Sequence, residues 1–310
     1  MATYNGQEYI KEQLESIKNQ TLTDWRLVVR DDRSSDKTVE IIKKFADEID
    51  NEVIVKVNDE PSGSAKKNFS LLLKDANNAD YVMFCDQDDI WKKDKIEVTL
   101  KKMKQAEELY GRDIPLLVHG DVEVIDENGN VTAGSMFELS HIDADSKLSK
   151  ILIQNHVTGC TMMCNNTLVQ GIYQYASSDD IIMHDYLAAL YASVFGKIEV
   201  IKRPLLSYRQ HGDNSVGAKN NNNPIYLLKR LADGRKKYEN AMSESRKQIE
   251  YFVRVYKSKF IFENLKQQYK LMKDYSELGT KTKLHRILFY IRNDIWKKGA
   301  IRKLMQIIWG

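Results

Sequence analysis

Apolar and polar positions follow two interleaved periods through the first two thirds of the chain. Short runs at Trp25–Val29, Val53–Val57 and Tyr81–Cys85 are too brief for helices and read as strands, and Tyr81–Cys85, without a charge, has the character of a buried parallel strand. Between them the apolar residues recur at helical spacing: Tyr9, Ile10, Leu14 and Ile17, then Val39, Ile42, Phe45 and Ile49, then Phe69, Leu72 and Leu73 within Ala65–Asn77. Ser35 or Asp36 is placed to cap the second of these helices. Strand alternating with helix predicts a mostly parallel, doubly wound α/β sheet. A charged amphipathic helix is expected over Lys93–Tyr110. After it Leu116–Ile125 meets Asn128-Gly129, a hairpin signal that turns the sheet mixed. Thr158–Cys164 reads as a further strand and His184–Phe195 as a helix with Leu187, Leu190 and Val194 on one face. Ile198–Ile201 and Leu205–Arg209 read as edge strands flanking Pro204.

The pattern changes at Lys219–Pro224, a polar run that punctuates like a linker. Beyond it helical periods cover Ile225–Leu231, Tyr238–Tyr275 and Leu284–Trp309. Two regions are therefore expected, 1–218 and 219–310. Charge separates them as well: the second carries 22 Lys+Arg against 8 Asp+Glu, a net of +14, and the first a net of −11. In Leu284–Trp309 the residues Leu284, Ile287, Leu288, Ile291, Ile295, Ile301, Leu304 and Ile308 alternate with Arg and Lys, and Trp296 and Trp309 fall on the apolar side. Such a basic amphipathic helix suits an anionic membrane surface. Packing on the first region or in a homo-oligomer is the alternative. A nucleic-acid partner is not expected, because the cations are interleaved with aliphatic and aromatic residues.

Hydrophobic content of 42% and charged content of 29% describe an ordinary globular protein. Cys85, Cys160 and Cys164 form neither a disulfide framework nor zinc spacing, and read as reduced thiols of a cytoplasmic protein. The amino terminus has no secretory pattern, and the apolar run Ile287–Ile291 is far short of the ~20 residues a span needs. No strand precedes Ala2-Thr3-Tyr4-Asn5-Gly6, although the strand–turn–helix order calls for one, so a true start upstream is expected.

Candidate chemistry concentrates at Asp86, Asp88 and Asp89, directly after the run Tyr81–Cys85. Open α/β sheets bind ligands outside the carboxyl ends of their strands. Carboxylates this close repel unless a cation or donors hold them, and hard oxygen ligands suit Mn²⁺ or Mg²⁺ on a substrate's phosphates. A plain polar turn capping the next helix is the alternative. A nucleotidyltransferase would want a Gly-rich phosphate loop near the amino terminus, and none is present.

Five motifs in register, Ala2-Thr3-Tyr4-Asn5-Gly6, Arg30–Asp36, Asp86-Gln87-Asp88-Asp89-Ile90-Trp91, His184-Asp185 and Tyr208–Ser215, resemble the family 2 inverting glycosyltransferases of GT-A fold. The nearest look is to bacterial rhamnosyltransferases of cell-wall and surface polysaccharide synthesis, and the likeness covers roughly residues 1–217. It implies a GT-A catalytic domain over 1–218 with a helical basic extension, and transfer of a sugar, L-rhamnose from dTDP-L-rhamnose, to a polyprenyl-diphosphate-linked saccharide at the inner membrane face. Another UDP- or dTDP-hexose, or a degenerate sugar-nucleotide-binding protein, are the alternatives. By the same resemblance Tyr4 stacks near the base with Thr3 lending backbone contacts, and Asp31 accepts from the base imide. Asp86 and Asp88 hold nucleotide and metal, and His211, in a loop with Asp213 and Asn214, completes the metal site. Asp89 orients its neighbours, and Trp91 faces a sugar or is ordinary core. Asp185 is the catalytic base, with a helix cap as its plainer reading. His184 has no role assigned.

Overall fold

Each early apolar run becomes a strand in the computed structural model, which describes residues 1–140, 146–212 and 224–310. β1 (Ala2–Thr3), β2 (Leu27–Asp31) and β3 (Val53–Val57) form a parallel sheet in that spatial order, with α1 (Ile10–Lys18), α2 (Thr38–Asp47) and α3 (Ala65–Asp75) following its strands. Leu27 and Val29 pack in one core with Ile10, Leu14 and Ile17 of α1 and Ile42 and Phe45 of α2. Their alternation along β2 matches the two-residue period of a strand.

A second, mixed sheet is built from β4 (Tyr81–Met83), β5 (Ile90–Trp91), β6 (Leu116–Ile125), β7 (Val131–Ala133), β8 (Met163–Asn165) and β9 (Lys197–Arg209). Its order is β4-β8-β6-β9-β5, with β7 on β6; β6 and β9 run parallel and the other pairs antiparallel. The helices among these strands are α4 (Lys95–Tyr110), α5 (Met136–Leu139), α6 (Leu148–Ile153), α7 (Asn166–Ile172) and α8 (His184–Phe195). Ala2 N–H donates to the Cys85 carbonyl at 3.2 Å, joining β1 to the chain just after β4. This bond, with the Thr3–Asp31 register, sets the Asp31 and Asp86 loops on the two flanks of β1.

The two edge strands expected around Pro204 are one strand, β9, which lies between β6 and β5. The register of β6 on β9 shifts where Pro204 faces Asp121, so the proline that cannot donate sits in an irregularity and the strand continues through it.

The chain divides into two units: Met1–Leu139, Val157–Ser177 and Met183–Ala218 form one, and Ser140–His156, Ser178–Ile182 and Lys219–Gly310 the other. In the second, α9 (Pro224–Val255) is followed by α10 (Lys257–Phe262), α11 (Lys266–Ser276), α12 (Lys283–Arg292) and α13 (Ala300–Trp309). The helical period read over Tyr238–Tyr275 is broken near Asn264 and that over Leu284–Trp309 near Asp294 and Gly299, all three at positive φ (56°, 50° and 86°). Ile151 and Leu152 of α6 are fully buried, and the Ser245 hydroxyl of α9 donates to the Leu152 carbonyl at 3.2 Å. Ile182 N–H donates to Gln248 Oε1 at 2.6 Å. Of the linker expected at Lys219–Pro224, residues 219–223 lie outside the described residues and Pro224 opens α9.

Candidate active site

Two loops after parallel strands form one side of the site. Asn5 takes a left-handed conformation (φ 46°), which asparagine tolerates, and its Oδ1 accepts from Ser35 N–H at 2.9 Å while its own N–H reaches Ser34 Oγ at 2.8 Å. Gly6 N–H donates to Thr38 Oγ1 at 2.8 Å. Gln87 then clamps Tyr4 by its main chain, accepting from Tyr4 N–H at 2.8 Å and donating to its carbonyl at 3.0 Å. A Cβ on Gly6 would meet the Gln87 carboxamide at 2.4 Å, so the clamp needs glycine there. The Tyr4 ring is left 58% exposed, open to a flat ligand.

Asp31 is fully buried. Its Oδ2 accepts from Thr3 Oγ1 at 2.8 Å and Ser34 Oγ at 2.6 Å, and its Oδ1 from Ser34 N–H at 2.7 Å. A carboxylate has about four acceptor positions, so capacity for one further donor remains. Asp32 secures the loop after β3. Burial works to raise its carboxyl, but bonds from Ser62, Asn58 and Gly63 outweigh that and hold it below the usual carboxylate range. The N-cap of α2 is Lys37 and not Ser35 or Asp36, although Asp36 Oδ1, one residue ahead of it, accepts Thr38 N–H at 3.0 Å.

The second side is the acidic cluster. Asp88 Oδ2 and His211 Nε2 stand 2.8 Å apart, and the His211 ring lies 5.0 Å from that of Tyr9. Asp86, half-buried, has its carboxyl pushed up to about 7 by burial, then by the charges of Asp88 and Asp185. Asp89 is fully buried and pushed well above its ordinary value by burial and by Asp86 and Asp88; its Oδ1 accepts from Arg209 N–H at 3.3 Å. Trp91 is 7% exposed and packs in the main core with Lys95 Nζ 4.2 Å over its ring, a core position that leaves no face for a sugar. Asp213 and Asn214 lie outside the described residues.

Asp185 sits in the first turn of α8, whose N-cap is Met183, so it is not the cap. Burial raises its carboxyl to about 7 against the opposing pull of N–H groups from Tyr186 and Gly159. Behind it His184 is 3% exposed between Phe69 and Phe84, ring centroids 4.2 and 4.7 Å away. Its ring nitrogens have no hydrogen-bond partner among the described residues, and burial alone drives its pKa down to about 3.

Several residues of the site were not singled out from sequence. Arg209, 2% exposed, holds the acidic loop: Nε donates to the Asp88 carbonyl and Nη1 to that of Glu127, both at 3.0 Å, Nη2 pairs with Glu12, and the guanidinium lies 4.7 Å over Tyr9. It lies within the Tyr208–Ser215 motif, which assigned it no role. Cys160 brings its sulfur within 4.8 Å of ligand atoms of Asp86 and Asp89. Burial and those carboxylates push this thiol far up, so it stays protonated and is a poor metal ligand. Of the expected ligands Asp88 and His211 are in contact, whereas the ligand atoms that converge on Asp86 are those of Asp89 and Cys160. Carboxylate oxygen and imidazole nitrogen are donor types that suit Mn²⁺ or Mg²⁺.

Glycosyl transferase family 2 matches residues 1–113. The dTDP-rhamnosyl transferase RfbG of Shigella flexneri is 31% identical over 228 residues, which cover 70% of this chain and 74% of that protein. The chain belongs to glycosyl transferase family 2. The transferase is also 29% identical over 170 residues, 54% of this chain and 60% of that one, to WfgD of Escherichia coli, a UDP-Glc:alpha-D-GlcNAc-diphosphoundecaprenol beta-1,3-glucosyltransferase. S. aureus TarS residues 1–349, solved with UDP-GlcNAc, superposes with a TM-score of 0.57 at 17% identity over 95% of this chain and 86% of that one. The shared architecture is the GT-A fold.

Proposed function

We propose that this family 2 glycosyltransferase moves L-rhamnose from dTDP-L-rhamnose, with inversion, onto a polyprenyl-diphosphate-linked saccharide at the cytoplasmic face of the membrane. The observation that carries the reading is the acidic loop after β4, where the charges of Asp88 and Asp185 act on Asp86 and Asp88 pairs with His211, while Gln87 of the same loop holds the main chain of Tyr4. Likeness to RfbG supports the donor, and likeness to WfgD supports an acceptor of lipid-diphosphate type.

A divalent cation held by Asp86, Asp88 and His211 would supply positive charge to the departing diphosphate. Tyr4 stacks on the base, with Thr3 beside it, and the spare acceptor position of Asp31 takes the imide N–H of thymine. Asp185 works on the opposite face of the sugar. Its carboxylate takes the proton of the acceptor hydroxyl as that oxygen bonds to the anomeric carbon and the bond to the dTDP oxygen breaks, the electron pair leaving with dTDP. A carboxyl titrating near neutrality is matched to that task.

The test is a set of nucleotide sugars incubated with the full chain and Mn²⁺, with and without acceptor, reading release of nucleoside diphosphate. Fastest turnover is expected with dTDP-L-rhamnose and none in excess chelator. Another sugar turned over faster would replace the donor. Binding without release from any of them would make the chain a sugar-nucleotide-binding protein.

A further inference from the structure

Helix α12 buries a tyrosine and α13 a glutamine, while leucines and isoleucines of both are exposed. Tyr290 is 1% exposed and Gln306 is fully buried, the latter accepting from Lys297 N–H at 2.8 Å and donating to the Ile295 carbonyl at 2.9 Å. Both tryptophans that the sequence placed on the apolar side are half-buried against tyrosines of the same unit: Trp296 against Tyr290 at 6.0 Å and Trp309 against Tyr238 at 5.9 Å. Lys283 Nζ donates to the Ile308 carbonyl at 2.6 Å and ties the end of α13 to the start of α12.

What remains outside is a stripe of Leu284, Leu288 and Ile291 on α12, 57–68% exposed, and Leu304, Ile307 and Ile308 on α13, 37–54% exposed. The spacings of four and three residues put each set on one helix face. Two joined helices that keep a glutamine inside and branched aliphatics in water are poorly arranged for water alone. They are well arranged for an apolar medium on their outer side.

Charge selects the medium. Residues 281–310 hold eight Lys+Arg against a single Asp, and exposed Lys281, Arg292 and Lys303 border the stripes. A second copy of this chain would set one such cationic surface against another, whereas anionic headgroups complement it. No helix among the described residues is long and apolar enough to cross a membrane. We infer that α12 and α13 lie on an anionic phospholipid bilayer, inserting the two aliphatic stripes below the headgroups with lysine and arginine at the phosphates. This seat does not depend on which sugar is transferred or which carboxylate is the base.

The test uses the full chain with phosphatidylglycerol and phosphatidylcholine vesicles in co-sedimentation, beside the triple variant Leu284→Ser/Leu288→Ser/Ile291→Ser. Expected are at least tenfold tighter binding to the anionic vesicles and loss of at least tenfold of it in the variant, with donor hydrolysis in solution unchanged. Equal binding to both lipids, or a variant that binds as the parent does, overturns the inference. A second variant, Leu288→Trp, should gain emission quenched by brominated phosphatidylglycerol beyond that of the parent; no added quenching overturns it too. If the lipid-free chain sediments as a dimer that the triple variant dissociates, the face belongs to a second copy and the bilayer seat is wrong.

Discussion

His184 is an aromatic side chain that happens to be titratable. Unfolded, it takes a proton below its ordinary 6.5; folded, only below about 3. The unfolded state therefore binds more protons in that window, so the stability it contributes is full above pH 6.5 and is lost as pH falls toward 3, at up to about 1.4 kcal/mol per unit. His184→Phe should flatten the acid-side fall of the melting temperature relative to the parent, and parallel curves would refute this. Asp185 moves the other way. Its raised carboxyl makes the ionised, base-competent form dominant only above about pH 7, so kcat/KM should climb with pH up to that point. Asp185→Asn is expected to remove the limb and cost about 10²–10⁴-fold in kcat, with donor binding retained. Asp88→Asn should abolish turnover and leave the melting temperature within a few degrees of the parent, since Asp88 is half-buried beside His211 and outside the apolar core.

At the scale of elements, a single turn couples Asp185, the proposed base, to the core. Gly159 opens a 3-10 turn, Gly159–Thr161, and its N–H reaches Asp185. A Cβ there would stand 2.8 Å from His184 Nε2 and 3.7 Å from Asp185 Oδ2. The stacked ring has little room to retreat between Phe69 and Phe84, so the start of α8 must shift instead. Gly159→Ala is predicted to lower kcat by up to about 10²-fold, the scale of an ångström misplacement, while the affinity for nucleotide measured by calorimetry stays as it was. Loss of nucleotide affinity in step with kcat would mean that the turn shapes the donor pocket.

In the whole molecule, the two units are interwoven in sequence. Segments 140–156 and 178–182 belong with the carboxyl-terminal helices although they lie far earlier in the chain. A chain ending at residue 223 would lose α9 and leave Ile151 and Leu152 without the helix that buries them, each side chain worth about 1.5–3 kcal/mol of burial. Such a truncation is expected to bind a hydrophobic dye and aggregate at concentrations where the full chain stays dispersed. A monomeric, dye-negative truncation would show that α6 finds another cover.

Local pattern was enough wherever a residue's neighbours in sequence are also its neighbours in space. The run Val53–Val57, the strand Leu116–Ile125 with its Asn-Gly turn and the helix His184–Phe195 lie where their periodicity put them, because strand and helix periods are properties of the segment itself. The acidic run after β4 was legible for the same reason, as was its likeness to a known family. Periodicity names the apolar face of a segment and says nothing of what that face meets. Only the folded chain decided that Pro204 sits inside one strand, that Trp296 and Trp309 pack against tyrosines and leave leucine and isoleucine outside, and that Arg209 and Gly159 reach the site. Each of these rests on partners distant in sequence, such as Asp121 for Pro204 or Asp88 for Arg209, and their meeting is a consequence of packing the whole chain at once.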